Sequence, residues 1–145
     1  MAIENRSAYH HYFIDQKYTA GMVLVGTEVK SIRGGKVSFN DSYCFMINGE
    51  LWVKSLHIAE YKFGTYTNHT PTADRKLLLQ KKELKKITNK LKDAGWTIVP
   101  LKIFFNDKGL AKMEIGIAKG KKLYDKRETI KERDTTREIK RKYAL

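Results

Sequence analysis

Four histidines, His10, His11, His57 and His69, are the side chains of this sequence best placed to move protons near neutral pH. None stands three or four residues from another histidine or a cysteine, so the spacing of a zinc site is missing and no metal site is expected. His10, His11 and His69 offer the groups for acid/base cleavage of RNA, but nothing in their spacing aligns them for it; stacking on a base or plain exposure is the simpler role. The string Gly34-Gly35-Lys36 follows a predicted helix rather than opening one, the wrong polarity for a phosphate-cradling loop. No enzyme class, metal or cofactor is supported by these groups.

Binding chemistry is better represented. Glu28, Lys30, Ser31, Arg33 and Lys36 lie on or just after a short predicted helix, Thr27 to Arg33, with Thr27 as its cap and Val29 and Ile32 on its inner side. A carboxylate among cations is repelled by phosphate and instead accepts hydrogen bonds from base amino groups or ribose hydroxyls. Glu28 would then specify while Lys30, Arg33 and Lys36 position; the plainer alternative is that Glu28 pairs with a neighbouring lysine in water. Asn68-His69-Thr70-Pro71 reads as a loop, and Arg75-Lys76 as the opening of a long helix, offering phosphate donors or merely a solvated helix start. The aromatics Tyr9, Tyr12, Phe13, Tyr61, Phe63 and Tyr66 recur among polar residues, a distribution that permits base stacking, although most are expected in the core or at its rim.

The elements that position these groups read as short strands with inserted helices. Asn48-Gly49 separates the runs Ser42–Ile47 and Glu50–Ile58, a hairpin signal because both turn residues tolerate positive φ. A second pair runs from Trp96 to Phe105 and from Leu110 to Ala118 around Asn106-Asp107-Lys108-Gly109, with Lys112 and Glu114 alternating against Met113 and Ile115. Tyr12–Ile14 and Gly21–Val25 read as two further strands. Residues 74 to 94 place Leu84, Ile87 and Leu91 on one side of a helix with a lysine face, and Gly95 fits its end. The fold class is therefore mainly β with inserted α-helices: a small OB-fold-like antiparallel β-barrel.

A chain of 145 residues, 41% hydrophobic, has room for one domain with a core. The domain is expected over residues 1–120, followed by a basic C-terminal tail over 121–145. From Lys119 to Leu145 there are eleven Lys and Arg against five Asp and Glu, and almost nothing to bury. Such a tail is disordered alone and ordered by an anionic groove, if it is not simply a solvated appendage. The net charge of +13 and pI near 9.8 make RNA, DNA or an anionic membrane the expected partners, the membrane least of the three. No apolar run approaches the ~20 residues that span a bilayer, and the N-terminus lacks a signal-peptide segment. The single cysteine, Cys44, lies in an apolar run and reads as a buried thiol in a cytoplasmic, monomeric protein.

Four strings, in order, resemble the bacterial SmpB family of tmRNA-binding proteins. They are Gly26-Thr27-Glu28-Val29-Lys30-Ser31-Ile32-Arg33-Gly34-Gly35-Lys36; Asp41-Ser42-Tyr43; Arg75-Lys76-Leu77-Leu78-Leu79; and Ala118-Lys119-Gly120-Lys121-Lys122-Leu123-Tyr124-Asp125-Lys126-Arg127. The resemblance extends to Asn5-Arg6 and to Lys131-Glu132-Arg133. It implies an OB-type barrel without enzymatic activity that binds the tRNA-like domain of tmRNA and brings it to ribosomes stalled on messages lacking a stop codon. By the same resemblance, Glu28, Lys30, Ser31, Arg33 and Lys36 contact that RNA, supplemented by Asn5, Arg6, Asn68, Arg75 and Lys76. Lys119, Lys121 and Lys122 then lie between tmRNA and the small-subunit rRNA. Tyr124, Asp125, Lys126 and Arg127 meet the decoding centre, and Lys131, Arg133, Arg137, Lys140 and Arg141 line the message channel as a helix. Two departures stand out: Ala73 where the family usually has Arg, which removes a phosphate contact, and Tyr124 where relatives often have His, which keeps stacking but not a titratable cation.

Overall fold

The computed structural model describes residues 2–64 and 68–121. Nine strands and three helices follow one another in these segments: β1 (Ala2–Glu4), α1 (Arg6–His11), β2 (Tyr12–Met22), α2 (Gly26–Arg33), β3 (Val37–Ser38), β4 (Tyr43–Ile47), β5 (Glu50–Lys54), β6 (His57–Ile58), β7 (Arg75–Leu78), α3 (Lys81–Leu91), β8 (Trp96–Phe105) and β9 (Ala111–Gly120). The pairing β8-β4-β5-β7-β2-β9 returns to β8, so six antiparallel strands close on themselves, and β1 extends the sheet beside the far half of β8. Closure leaves few unpaired edges, the hazard that open sheets carry. The architecture is the OB-like barrel with inserted helices expected above.

Alternation explains the core. Along β9, Met113, Ile115 and Ile117 are buried and join Ile98, Ile103, Leu51, Val53, Leu77 and Ala20 inside the barrel, while Lys112 and Glu114 stay partly exposed. Ile87, from the apolar stripe of α3, and Ile32 of α2 plug into the same core. A second cluster lies outside the barrel wall, where Ala8 of α1 packs on Val99, Leu101 and Ala118. Pro100 sits inside a long strand at a register shift between Pro100 and Lys102, and a bulge is where a residue without an N–H is tolerated. Cys44 is buried and free; burial pushes its thiol well above the usual range, so it stays a neutral packing group.

The Asn48-Gly49 turn joins β4 to β5 with φ of 52° and 78°, as the sequence requires. A Cβ added to Gly49 would meet nothing within 4 Å, so a substitution there costs backbone strain alone. Gly49→Ala is expected to lower the unfolding free energy by about 1–2 kcal/mol with an unchanged denaturant slope, measured by urea titration. An unaltered midpoint would mean that the turn relaxes freely.

Three boundaries differ from the sequence-based expectation. Tyr12 to Met22 is one strand, bent by a bulge between Ile14 and Gln16, rather than two short ones. β1 and α1 precede it where no element was expected. Most consequentially, Arg75 and Lys76 do not open the long helix: Arg75–Leu78 is strand β7, and α3 begins only at Lys81. The run Leu77-Leu78-Leu79 continues the helical leucine spacing in sequence, but an inward-facing Arg75 makes the segment alternate instead.

Candidate nucleic-acid interface

Helix α2 presents two chemically distinct sides. Lys30 and Arg33 are exposed, with Lys36 just beyond, whereas Glu28, Ser31 and Ile32 are buried and Val29 is half-buried. Glu28 is therefore on the inner side, and the expectation of an exposed carboxylate reading RNA, or pairing with lysine in water, is corrected. Its Oε1 accepts the N–H of Val25 at 2.9 Å, closing the first turn of the helix in place of the expected Thr27 cap. Its Oε2 is ion-paired with Nε of Arg75, a residue that is itself 3% exposed.

Arg75 spends its remaining donors on backbone carbonyls. Nη1 donates to Leu56 O at 2.6 Å, and Nη2 to Pro71 O at 3.0 Å and Thr70 O at 3.2 Å. A planar guanidinium satisfied this fully tolerates burial beside a carboxylate. The loop before β7 is fastened twice more. His69 Nε2 donates to Ile58 O at 2.8 Å, and its Nδ1 shares a hydrogen bond of 2.8 Å with the Thr27 hydroxyl. Asn68 Oδ1 accepts the N–H of Tyr61 at 3.1 Å while its Nδ2 donates to Tyr61 O at 2.9 Å. These contacts hold α2, the loop and β7 as one unit, and His69 is occupied structurally rather than poised as a base.

The exposed cations of this unit rest on aromatic rings. Lys30 Nζ lies 5.3 Å from the ring centroid of Tyr61, and the Arg33 guanidinium carbon 5.2 Å from that of Phe105. Phe63, 75% exposed, meets Tyr61 edge-on at 5.6 Å. Beside them a cleft of about 490 Å³ is lined by Val23, Val25, Trp52, Ala73 and the rim of the Glu28–Arg75 pair, with Asn68 and Lys76 also at its wall. Lys76 is bridged to Glu50 at 2.5 Å. The sequence names Tyr61 and Phe63 among the aromatics that permit base stacking without tying them to this face, whereas Trp52 reads there only as part of a strand.

The remaining expected residues fall elsewhere. Asn5 is buried, its Nδ2 donating to Pro100 O at 2.7 Å and its Oδ1 accepting from Ser7, so it staples α1 to β8 rather than facing solvent. Arg6, next to it, is exposed. Lys121 Nζ donates to Tyr9 O at 2.9 Å at the end of α1, and Lys119 stands at the end of β9. Ser31 Oγ is buried without a hydrogen-bond partner among the described residues. Lys122, Tyr124, Asp125, Lys126, Arg127, Lys131, Arg133, Arg137, Lys140 and Arg141 lie outside the described residues, as does Tyr66. Among the described residues no group of three or more His, Cys, Asp or Glu is arranged to hold a metal ion, and no helix is long and apolar enough to cross a membrane.

A closed β-barrel with cations stacked on aromatics around one pinned helix defines the class of small nucleic-acid-binding barrel proteins. The model of the SmpB protein family matches residues 2–144, and the chain belongs to that family. The SsrA-binding protein of Bacteroides thetaiotaomicron is 56% identical over 141 residues, 97% of this chain and 94% of that protein. The SsrA-binding protein of Fervidobacterium nodosum is 54% identical over 136 residues, 94% and 91% of the two chains. Among solved structures, a chain from "tmRNA-SmpB: a journey to the center of the bacterial ribosome" matches with a TM-score of 0.71 at 49% identity, over 83% of this chain and 84% of that one.

Proposed function

We propose that this protein is a non-enzymatic RNA-binding adaptor of ribosome rescue, acting as a cytoplasmic monomer. It binds the tRNA-like domain of tmRNA through the α2 face and delivers it to ribosomes stalled on messages lacking a stop codon. The observation that carries the RNA-binding part is the pinned helix: Lys30, Arg33 and Lys36 are held outward by the buried Glu28–Arg75 pair behind them. Cations on a rigid face lose less freedom on meeting phosphate than cations on a loose one. Glu28 and Arg75 serve this face from within and Asn68 serves it by fixing the loop, Ser31 lies on its buried side, and Asn5 fixes α1 to β8. Arg6, Lys76, Lys119, Lys121 and Lys122 add contacts to RNA. The tail, from Tyr124 through Arg141, senses the decoding centre and the empty message channel of the small subunit.

The test is a competition titration at about 0.2 M salt, where nonspecific phosphate contacts are strongly weakened, with labelled tRNA-like domain and excess bulk tRNA. Binding is expected to persist against the competitor. Changing both Lys30 and Arg33 to Gln is expected to flatten the dependence of log K on log salt by about 1.8, if both meet phosphates of duplex-like RNA. Equal displacement by bulk tRNA would reduce the chain to a general basic RNA binder and favour a ribosomal structural or assembly role.

A further inference from the structure

At one end of the barrel three side chains share a rung. Lys119 of β9 is the register partner of Phe13 on β2 and of Trp96 on β8. Directly opposed residues of neighbouring strands point to the same face, so the order across the sheet is ring, lysine, ring. Two strand spacings, roughly 10 Å, separate the backbones that carry the rings. A groove of about 370 Å³ opens there, lined by Phe13, Ile14, Asp15, Trp96 and Lys119. Phe13 is 46% exposed, and Trp96 packs only in part against the core.

Three ammonium groups converge on these rings. Lys90, near the end of α3, and Lys119 place Nζ 4.3 and 4.6 Å from the Trp96 centroid, and Lys121 Nζ lies 5.2 Å from that of Phe13. One carboxylate faces them, Asp15, whose Oδ2 is 3.6 Å from Lys90 Nζ with both side chains partly exposed. The group shares no residue with the α2 face.

We propose that this rung is a stacking site for one unpaired nucleotide of an RNA strand. The base lies against Trp96 and Phe13, and Lys90, Lys119 and Lys121 take the flanking phosphates. A nucleotide supplies a flat π-surface and adjoining negative charge together, whereas an acidic peptide satisfies the lysines and leaves the rings unfilled. The ammonium groups now over the rings can swing aside to phosphate, Lys121 giving up Tyr9 O and Lys90 giving up Asp15, while the base takes their place. This rests on the RNA-binding reading above and adds to it a second contact, beside the point where the chain leaves the barrel for its basic tail.

The experiment uses the full chain labelled with 5-fluorotryptophan, whose two resonances, Trp52 and Trp96, are assigned with Trp96→Phe. An adenylate octamer is titrated in and followed by fluorine NMR. Saturable movement of the Trp96 line is expected. Trp96→Leu is expected to weaken octamer binding about tenfold, with Trp96→Phe retaining most of it. The pair Lys90→Gln and Lys119→Gln is expected to flatten the salt dependence by about 1.4. Movement confined to Trp52, unchanged affinity of Trp96→Leu, or an oligoglutamate peptide reproducing the Trp96 shift at equal concentration would each overturn the proposal. Loss of selective tRNA-like-domain binding with the octamer shift intact would instead break the functional reading and leave this site standing.

Discussion

Replacing Arg75 by methionine lowers the unfolding free energy by about 3–5 kcal/mol, read as a lower urea midpoint at unchanged slope. The substitution strands the Glu28 carboxylate, 5% exposed, with the Val25 N–H as its one remaining partner. It also strips a donor from the carbonyls of Leu56, Thr70 and Pro71. A second substitution, Glu28→Gln, recovers part of the loss because it removes the unpaired charge, so the double variant is more stable than the sum of the single losses predicts. A loss below about 1 kcal/mol would mean that the pair contributes no more than an exposed one. In conditions where Arg75→Met remains folded, the loop before β7 is freed from two of its anchors, and the tRNA-like domain binds more weakly.

Removal of residues 122–145 abolishes tagging of stalled nascent chains while leaving binding of the tRNA-like domain within about threefold, the range of a single lost peripheral phosphate contact. The cut falls after Lys121 because that lysine is bonded to Tyr9 O and belongs to the body. The removed segment carries nine Lys and Arg of the chain's 29 but none of the α2 face. Tagging is measured in a reconstituted translation reaction on a message without a stop codon, and binding by titration of labelled RNA. Equal loss of both activities would end the division of labour between barrel and tail.

The strand content was legible where local chemistry and tertiary packing agree. Asn48-Gly49 announces its hairpin, and the alternation of Lys112, Met113, Glu114 and Ile115 announces the face that β9 buries. Helix α3 was legible in its centre, since Leu84, Ile87 and Leu91 face the core, but its start was not. The cause is Arg75: a strand alternating arginine-in, lysine-out is invisible to a reading that sends every charge to water. The same rule misplaced Glu28. Two opposite charges 47 positions apart are each unremarkable in sequence, and only the fold brings them together. Asn5 was singled out for RNA through the family resemblance and proves to spend its amide on β8. The exposed members of the face, Lys30, Arg33 and Lys36, were placed correctly on the outer side because Val29 and Ile32 fix which way α2 turns.

The tail departs from β9, the strand gripped along its length by β2 on one side and β8 on the other. A pull on the tail runs along that strand and loads both ladders of hydrogen bonds at once, in shear, where peeling from an edge strand would break them one after another. The barrel thus serves as a mechanical anchor: a force applied at the end of β9 must shear two ladders together before any part of the body unravels.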